Sequence, residues 1–408
     1  MYDTNDIIRA LTDDIYLPSD ITITGRFDTA VMMNPASIFI TGVTGFIGIY
    51  LLADLLQQTN ARMYCLIRSR NEKTAIEKLE GLFREHHISL PEIMKSRIVP
   101  VLGDLSKPLL GLDAERFDQL CKTIDVIYHS GSAVNFLTPY ADIRKPNVNG
   151  LREIIRLAAC HKLKCLSLLS TISVSSWGHI YDDRKVLLED DDIYRHLQAV
   201  ADDNAYVQSK WVMEQIAALA ASKGLPVILY RIGNSMCHSK TGVSALGNWW
   251  SMLVKGCIQA GSFPDMPTLR EDLTTVDYIT AAITHISRQP AAPGMKFNIL
   301  HIQANNITLT AFFALLNSHF DMGLRQVSLE EWVSQIRQDS NNILYLMLPL
   351  ITEKASNGMT SIELHENGYL HDCSNLTAFL KDSYIKEPVF TRELLSAYLA
   401  GMDVMVDA

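Results

Sequence analysis

The period of apolar positions changes repeatedly along the chain. SIFITG (37–42) is a short apolar run that ends in glycine, and GIYLLADLLQQT after it sets Leu51, Leu52, Leu55 and Leu56 at helical spacing. RMYCLIR, RIVPVLGDL, DVIYHSG, LKCLSLLST and LPVILYRIG are further strand-length runs. Segments of helical length separate them, among them TAIEKLEGLFREHH, NGLREIIRLAACHK and SKWVMEQIAALAAS. Strands alternating with helices predict βαβ units, hence an α/β fold built on a doubly wound parallel sheet with helices on both faces.

Outside this alternation the pattern is looser. Residues 1–36 read as a lead-in segment, a short helix over IIRAL and then an extended stretch around Pro18 and Ile21. After Gly233, residues 236–269 are rich in Gly, Ser, Trp and Met; DLTTVDYITAAITHI returns to strand-then-helix, and KFNILHI adds one more strand. From about 307 onward LTAFFALLNSHF, LEEWVSQIRQ and RELLSAYLAG carry helical spacing. The expected organisation is a nucleotide-binding domain over 37–300 and a smaller, mostly helical substrate domain over 301–408. Residues 236–269 contribute to the substrate site.

Composition narrows the classes. A charged fraction of 20%, a hydrophobic fraction of 48% and a net charge of −9 fit a soluble globular protein and leave no basic footprint for nucleic acid. Seven scattered cysteines without C-x-x-C spacing read as reduced thiols of a cytoplasmic protein. The acidic start MYDTNDIIRALTDD lacks an apolar core, and no run approaches the roughly 18 residues of a membrane span, so neither secretion nor membrane insertion is expected. His86, His87, His179 and His238 lack ligand spacing, and no metal is expected.

Between the first strand and first helix stands Thr41-Gly42-Val43-Thr44-Gly45-Phe46-Ile47-Gly48. In a strand-turn-helix setting this is the glycine pattern of a Rossmann-type dinucleotide site. Gly42 allows a tight turn, Gly45 lets backbone approach a pyrophosphate, and Gly48 permits close helix-to-strand packing. The N–H groups of Phe46, Ile47 and Gly48 open a helix whose positive end suits phosphate. An NAD site places an acid about 20 residues further on. Here Leu66-Ile67-Arg68-Ser69-Arg70 carries none, and Arg68, aided by Arg70 or Lys78, suits the 2′-phosphate of NADPH. Asp104-Leu105 and Ser130-Gly131-Ser132 end the third and fourth strands, where parallel sheets bind ligands. Asp104 is positioned to meet the adenine amino group, and the small residues leave the cofactor room to pass.

Tyr206 and Lys210 lie four apart at the start of a helical segment and so share a face. A tyrosine titrates near 10, and a neighbouring ammonium is expected to lower that value and favour acid–base work. Thr171, ending the fifth strand, is placed to hold a substrate oxygen. The ordered set of glycine turn, Thr171, Tyr206 and Lys210 resembles the extended short-chain dehydrogenase/reductases. The pieces TGVTGFIG, CLIR, GDL, HSGSAVNF, STISV, AYVQSKW, YRIGNS followed by TG, and TTVDYI, with Trp332 in the C-terminal helical portion, resemble the thioester reductase domains of nonribosomal peptide and polyketide synthetases and carboxylic acid reductases. Two positions depart from that pattern: Ile232 stands in Arg231-Ile232-Gly233 where proline is usual, and Leu151 follows Asn147-Val148-Asn149-Gly150 where threonine is usual.

The resemblance implies NADPH-dependent release of an acyl or peptidyl chain, carried as a thioester on the phosphopantetheine arm of a carrier protein, as an aldehyde, with further reduction to an alcohol as a second outcome. It also implies that Thr44, Leu105, Asn147 and Ile232 join the cofactor site, and that the C-terminal helices dock the carrier. Met236, Trp249, Trp250, Met252 and Phe263 read equally as a substrate channel or as core. A nucleotide-sugar epimerase or hydroxysteroid-type dehydrogenase, a non-catalytic dinucleotide module and a non-redox cyclisation domain are the rival readings. Arg68 argues against the first of these, and the intact Thr171, Tyr206 and Lys210 against the other two.

Overall fold

A computed structural model describes residues 4–245, 247–301, 307–355 and 358–404. Seven strands form one parallel sheet: β1 (Ser37–Thr41), β2 (Arg62–Ile67), β3 (Ile98–Leu102), β4 (Val126–His129), β5 (Cys165–Thr171), β6 (Val227–Ile232) and β7 (Lys296–Ile299). Their spatial order is β3-β2-β1-β4-β5-β6-β7, so the winding direction reverses between β1 and β4. In such sheets the crevice at the reversal, above the carboxyl ends of the strands, is where ligands bind.

The period-2 alternation within each strand divides the core into two faces. Ile38, Ile40, Met63, Cys65 and Ile67 pack on one side, under the helices Phe46–Gln58 (α2), Glu72–Glu85 (α3) and Val276–Ile286 (α8). Phe39, Leu66, Ile127, Leu166 and Leu168 pack on the other, under Ala114–Thr123 (α4), Gly150–Ala159 (α5) and Ala205–Ser222 (α6). The lead-in helix α1 (Thr4–Asp13) lies against α6, and the buried Asp14 that follows it receives Tyr140, Arg144 and Arg152.

A third core lies beyond the strand ends. It joins α7 (Trp249–Ala260) to α9 (Leu309–Phe320), α10 (Leu329–Gln338) and α11 (Arg392–Gly401), with Trp250, Phe312, Phe313, Trp332 and Tyr398 buried in it. Side chains of Asn248, Thr308, Ser328 and Thr391 cap these helices by accepting from backbone N–H groups one turn on. Gly242 and Gly401 bring this layer close to the body. A Cβ on Gly242 would lie 1.8 Å from the Ala397 oxygen, and one on Gly401 2.0 Å from the Gly242 oxygen. No helix among the described residues is long and apolar enough to cross a membrane.

Candidate active site

The phosphate turn is defined by where side chains are excluded. Gly42 has φ +79°, and a Cβ there would stand 2.6 Å from the Gly131 nitrogen, so the loops after β1 and β4 meet backbone to backbone. Gly45 caps α2, its N–H donating to the Gly42 carbonyl at 2.9 Å, and it is exposed toward the crevice. A Cβ on Gly48 would lie 2.0 Å from the Gly42 oxygen. The third glycine therefore lets the start of α2 pack directly against the backbone that leaves β1. Below the turn, Thr41 Oγ1 and His129 Nδ1 are 2.8 Å apart and the Gly131 N–H donates to Thr41 Oγ1 at 3.0 Å. Burial, and then the Lys210 charge, hold His129 down to about 3, so it stays neutral. The half-buried Thr44, Phe46 and Ile47 and the small Ser130, Gly131 and Ser132 surround a cradle of backbone N–H groups that fits a pyrophosphate.

Arg68 and Arg70 are exposed just past β2, and Lys78 is exposed on α3. Asp104 is half-buried; burial works to raise its carboxyl, but the Ser106 N–H and hydroxyl, with the charge of Arg68, hold it below the usual carboxylate range. Its Oδ1 accepts from both Ser106 groups, at 2.9 and 2.8 Å, so one carboxylate oxygen closes its own turn. Leu105 wedges between Gly131 and Gly150. Asn147 departs from the expected cofactor contact: it is fully buried, accepts from Ala133 N–H at 2.7 Å, and spends its amide hydrogens on the Ala133 carbonyl and Ser209 Oγ. It fixes the loop that continues Ser130–Ser132.

Thr171 is the last residue of β5, opposite Ile232 of β6. Its Oγ1 accepts from the Ser173 N–H at 3.2 Å and donates to Ser173 Oγ at 3.3 Å, and Tyr206, near the start of α6, is half-buried beside it. Lys210 lies one turn on, with Nζ 6.0 Å from the Tyr206 ring centre and donating to the Leu169 carbonyl at 2.9 Å. The expected depression of the tyrosine does not hold. Loss of hydration pushes the Tyr206 phenol up to about 12, with Thr171 pulling the other way. Burial lowers the Lys210 ammonium to about 8 against the attraction of Glu214.

On the substrate side, Met236, Trp250 and Phe263 are buried in the third core, while Trp249 and Met252 are half-buried. Of the five, three are therefore core. Three features of the site were not read from sequence. Phe136 meets the Tyr206 ring edge-on at 6.0 Å. Glu271 accepts from Asn234 Nδ2 at 2.5 Å, and burial, with the charge of Asp272, pushes its carboxyl up to about 8 against the pull of Trp249. Ser176 is bonded to Asp203. The acid-rich stretch before Tyr206 was the available signal for Asp203; the others depend on long-range packing. Among the described residues no cluster of His, Cys, Asp or Glu could hold a metal ion.

Known proteins resemble this chain in sequence and in fold. The family model described as "Male sterility protein", an NAD-binding family, matches residues 40–283. The chain is 31% identical over 403 residues to aldehyde reductase lnaA of Aspergillus flavus, covering 97% of this chain and 38% of that protein. It is 32% identical over 376 residues to the non-canonical nonribosomal peptide synthetase cpsA of Aspergillus campestris, covering 90% of this chain and 36% of that protein. It thus spans well under half the length of these relatives. The crystal structure of the terminal R domain from the myxalamid PKS-NRPS biosynthetic pathway superposes with a TM-score of 0.84 at 30% identity, covering 97% of each chain.

Proposed function

The chain is an oxidoreductase of the NAD-binding male sterility protein family, within the extended short-chain dehydrogenase/reductases, and from that premise we propose that it reduces a carrier-bound acyl or peptidyl thioester to an aldehyde with NADPH. The observation that carries this reading is the convergence of Thr171, Tyr206 and Lys210 at the carboxyl end of β5, beside the glycine cradle. Cofactor and substrate then occupy one crevice.

Bound NADPH supplies the hydride that the thioester carbonyl carbon accepts. Thr171 and Tyr206 present two hydroxyls to the carbonyl oxygen, stabilising the charge that develops there, and the Tyr206 phenol donates its proton to that oxygen. The Lys210 ammonium balances the phenolate left behind. The phenolate takes back the hemithioacetal's hydroxyl proton as the carbon–sulfur bond breaks, which frees the aldehyde, and the departing sulfur takes a proton from solvent to become the thiol of the phosphopantetheine arm. With a second NADPH bound, the same hydroxyl pair would serve reduction of the aldehyde to the alcohol. Arg68, in a stretch 66–70 that carries no acid of its own, supports NADPH over NADH through charge-assisted contacts to the 2′-phosphate.

The test follows NADPH absorbance with an acyl thioester of pantetheine, and with a nucleotide sugar as control. Oxidation is expected with the thioester alone. Tyr206→Phe should lower kcat by at least about 100-fold while leaving NADPH binding intact. A fully active Tyr206→Phe enzyme overturns the assignment.

A further inference from the structure

The carboxylate of Asp203 joins the two elements that carry the hydroxyls of the site. Thr171 ends β5 and opens the tight turn Ile172–Ser175, its Oγ1 accepting from the Ser173 N–H at 3.2 Å. Ser176 closes that turn at φ +46° and ψ −141°, a backbone conformation that residues with a Cβ rarely adopt and that its surroundings must impose. The Ser176 hydroxyl donates to Asp203 Oδ2 at 2.7 Å. The other oxygen of Asp203 accepts from the Asn204 N–H at 2.7 Å and from its side-chain amide at 2.8 Å. Asn204 in turn caps α6, accepting from Val207 N–H at 3.2 Å.

Tyr206 stands two residues past that cap. The path from Thr171 through Ser176, Asp203 and Asn204 to Tyr206 therefore ties the end of β5 to the start of α6. Burial raises the Asp203 carboxyl above the usual carboxylate range, while the hydrogen bonds from Ser176 and Asn204 and the N-terminus of an 18-residue helix work the other way and favour its charged form. Trp177, next to Ser176, meets His365 of the C-terminal part edge-on at 5.9 Å, which packs that part against the same turn. None of these hydrogen bonds involves the glycine turn or Arg68.

We propose that Asp203, acting through Ser176, is a positioning residue that sets the spacing of the Thr171 and Tyr206 hydroxyls, and thereby the rate of reduction, without contributing to cofactor binding. The inference rests on the thioester-reductase reading. Two variants separate the hydrogen bond from the backbone conformation: Ser176→Ala removes the hydroxyl and keeps the unfavourable φ, whereas Ser176→Gly removes the hydroxyl and relieves it.

Both are expected to lower kcat with acyl-pantetheine thioester about tenfold or more, because misplacement of a reacting group by even part of an ångström is costly to rate. The dissociation constant for NADPH, measured by fluorescence titration, should stay within about twofold of the parent chain. Asp203→Asn should fall similarly, and the Ser176→Ala/Asp203→Asn pair no further than either alone. Wild-type kcat in Ser176→Gly, or NADPH affinity falling in step with kcat, overturns the assignment while leaving the function standing. A wild-type chain that leaves NADPH unoxidised with the thioester overturns the functional reading and this role with it.

Discussion

At the scale of single residues, Tyr206 and Lys210 divide the work of titration in an unexpected way. Burial raises the phenol to about 12 and lowers the ammonium to about 8, so across the working range the tyrosine keeps its proton and the lysine is the group that titrates. Below about 8 Lys210 is charged and supports the phenolate formed during proton donation; as pH rises through that value the charge, and the support, are lost. The kcat/KM for thioester should therefore fall on the alkaline side of about pH 8, with no limb from Tyr206 below about 12; a profile flat to about pH 10 would count against this assignment. Arg68 makes a separate prediction. Its replacement by Ala should raise KM for NADPH about tenfold or more, the scale of one charge-assisted hydrogen bond, and leave KM for NADH unchanged. Equal change for both cofactors would remove its claim on the 2′-phosphate. The identities and order of Thr171, Tyr206 and Lys210 were legible in the sequence because each follows a recognisable strand end or helix start. The direction of the Tyr206 shift was not, because it depends on enclosure by groups distant in sequence, such as Phe136.

Between elements, α6 and β6 are tied by an ion pair away from solvent. Arg231 and Glu214 have side chains only 2% and 3% exposed, and Arg231 meets both Glu214 oxygens, at 2.9 to 3.2 Å, while also donating to the Glu189 carbonyl. Glu214 stands one turn past Lys210, so the pair anchors the helix that carries the site. Arg231→Met should cost about 3–5 kcal/mol in denaturant unfolding by stranding a buried carboxylate, and Arg231→Met/Glu214→Met should recover most of it. A double variant no more stable than the single would refute that account. All seven sheet strands and the helices α9, α10 and α11 were legible, since each keeps one period for long enough to register. The strand Asn234–Ser235 was not, because two residues carry no period and only its partner Leu273–Thr274, which falls in the strand-then-helix stretch DLTTV, defines it. The five-residue π turn at Lys145–Asn149 leaves no mark on the pattern either.

Across the whole molecule, the parts that touch the crevice come from distant stretches of chain. The first helix lies against α6, the loops after β1 and β4 meet at the glycine turn, and α11 closes on Gly242. The third core takes Met236, Trp250, Phe263 and Leu273 from before residue 300 and Phe312, Trp332, Tyr398 and Met402 from after it. Packing of this kind is shared property, since neither stretch can bury its apolar face alone. Relatives that differ in substrate are natural donors for exchanging the C-terminal part, and the end of β7 looks like the convenient joint. A hybrid joined there would pair two half-cores shaped for different partners, with Gly242 facing a foreign helix where a single Cβ has no room. The exchangeable unit instead begins near Asn234, and it carries the Asn234–Ser235 strand, α7 and Glu271 along with the helices that cover them.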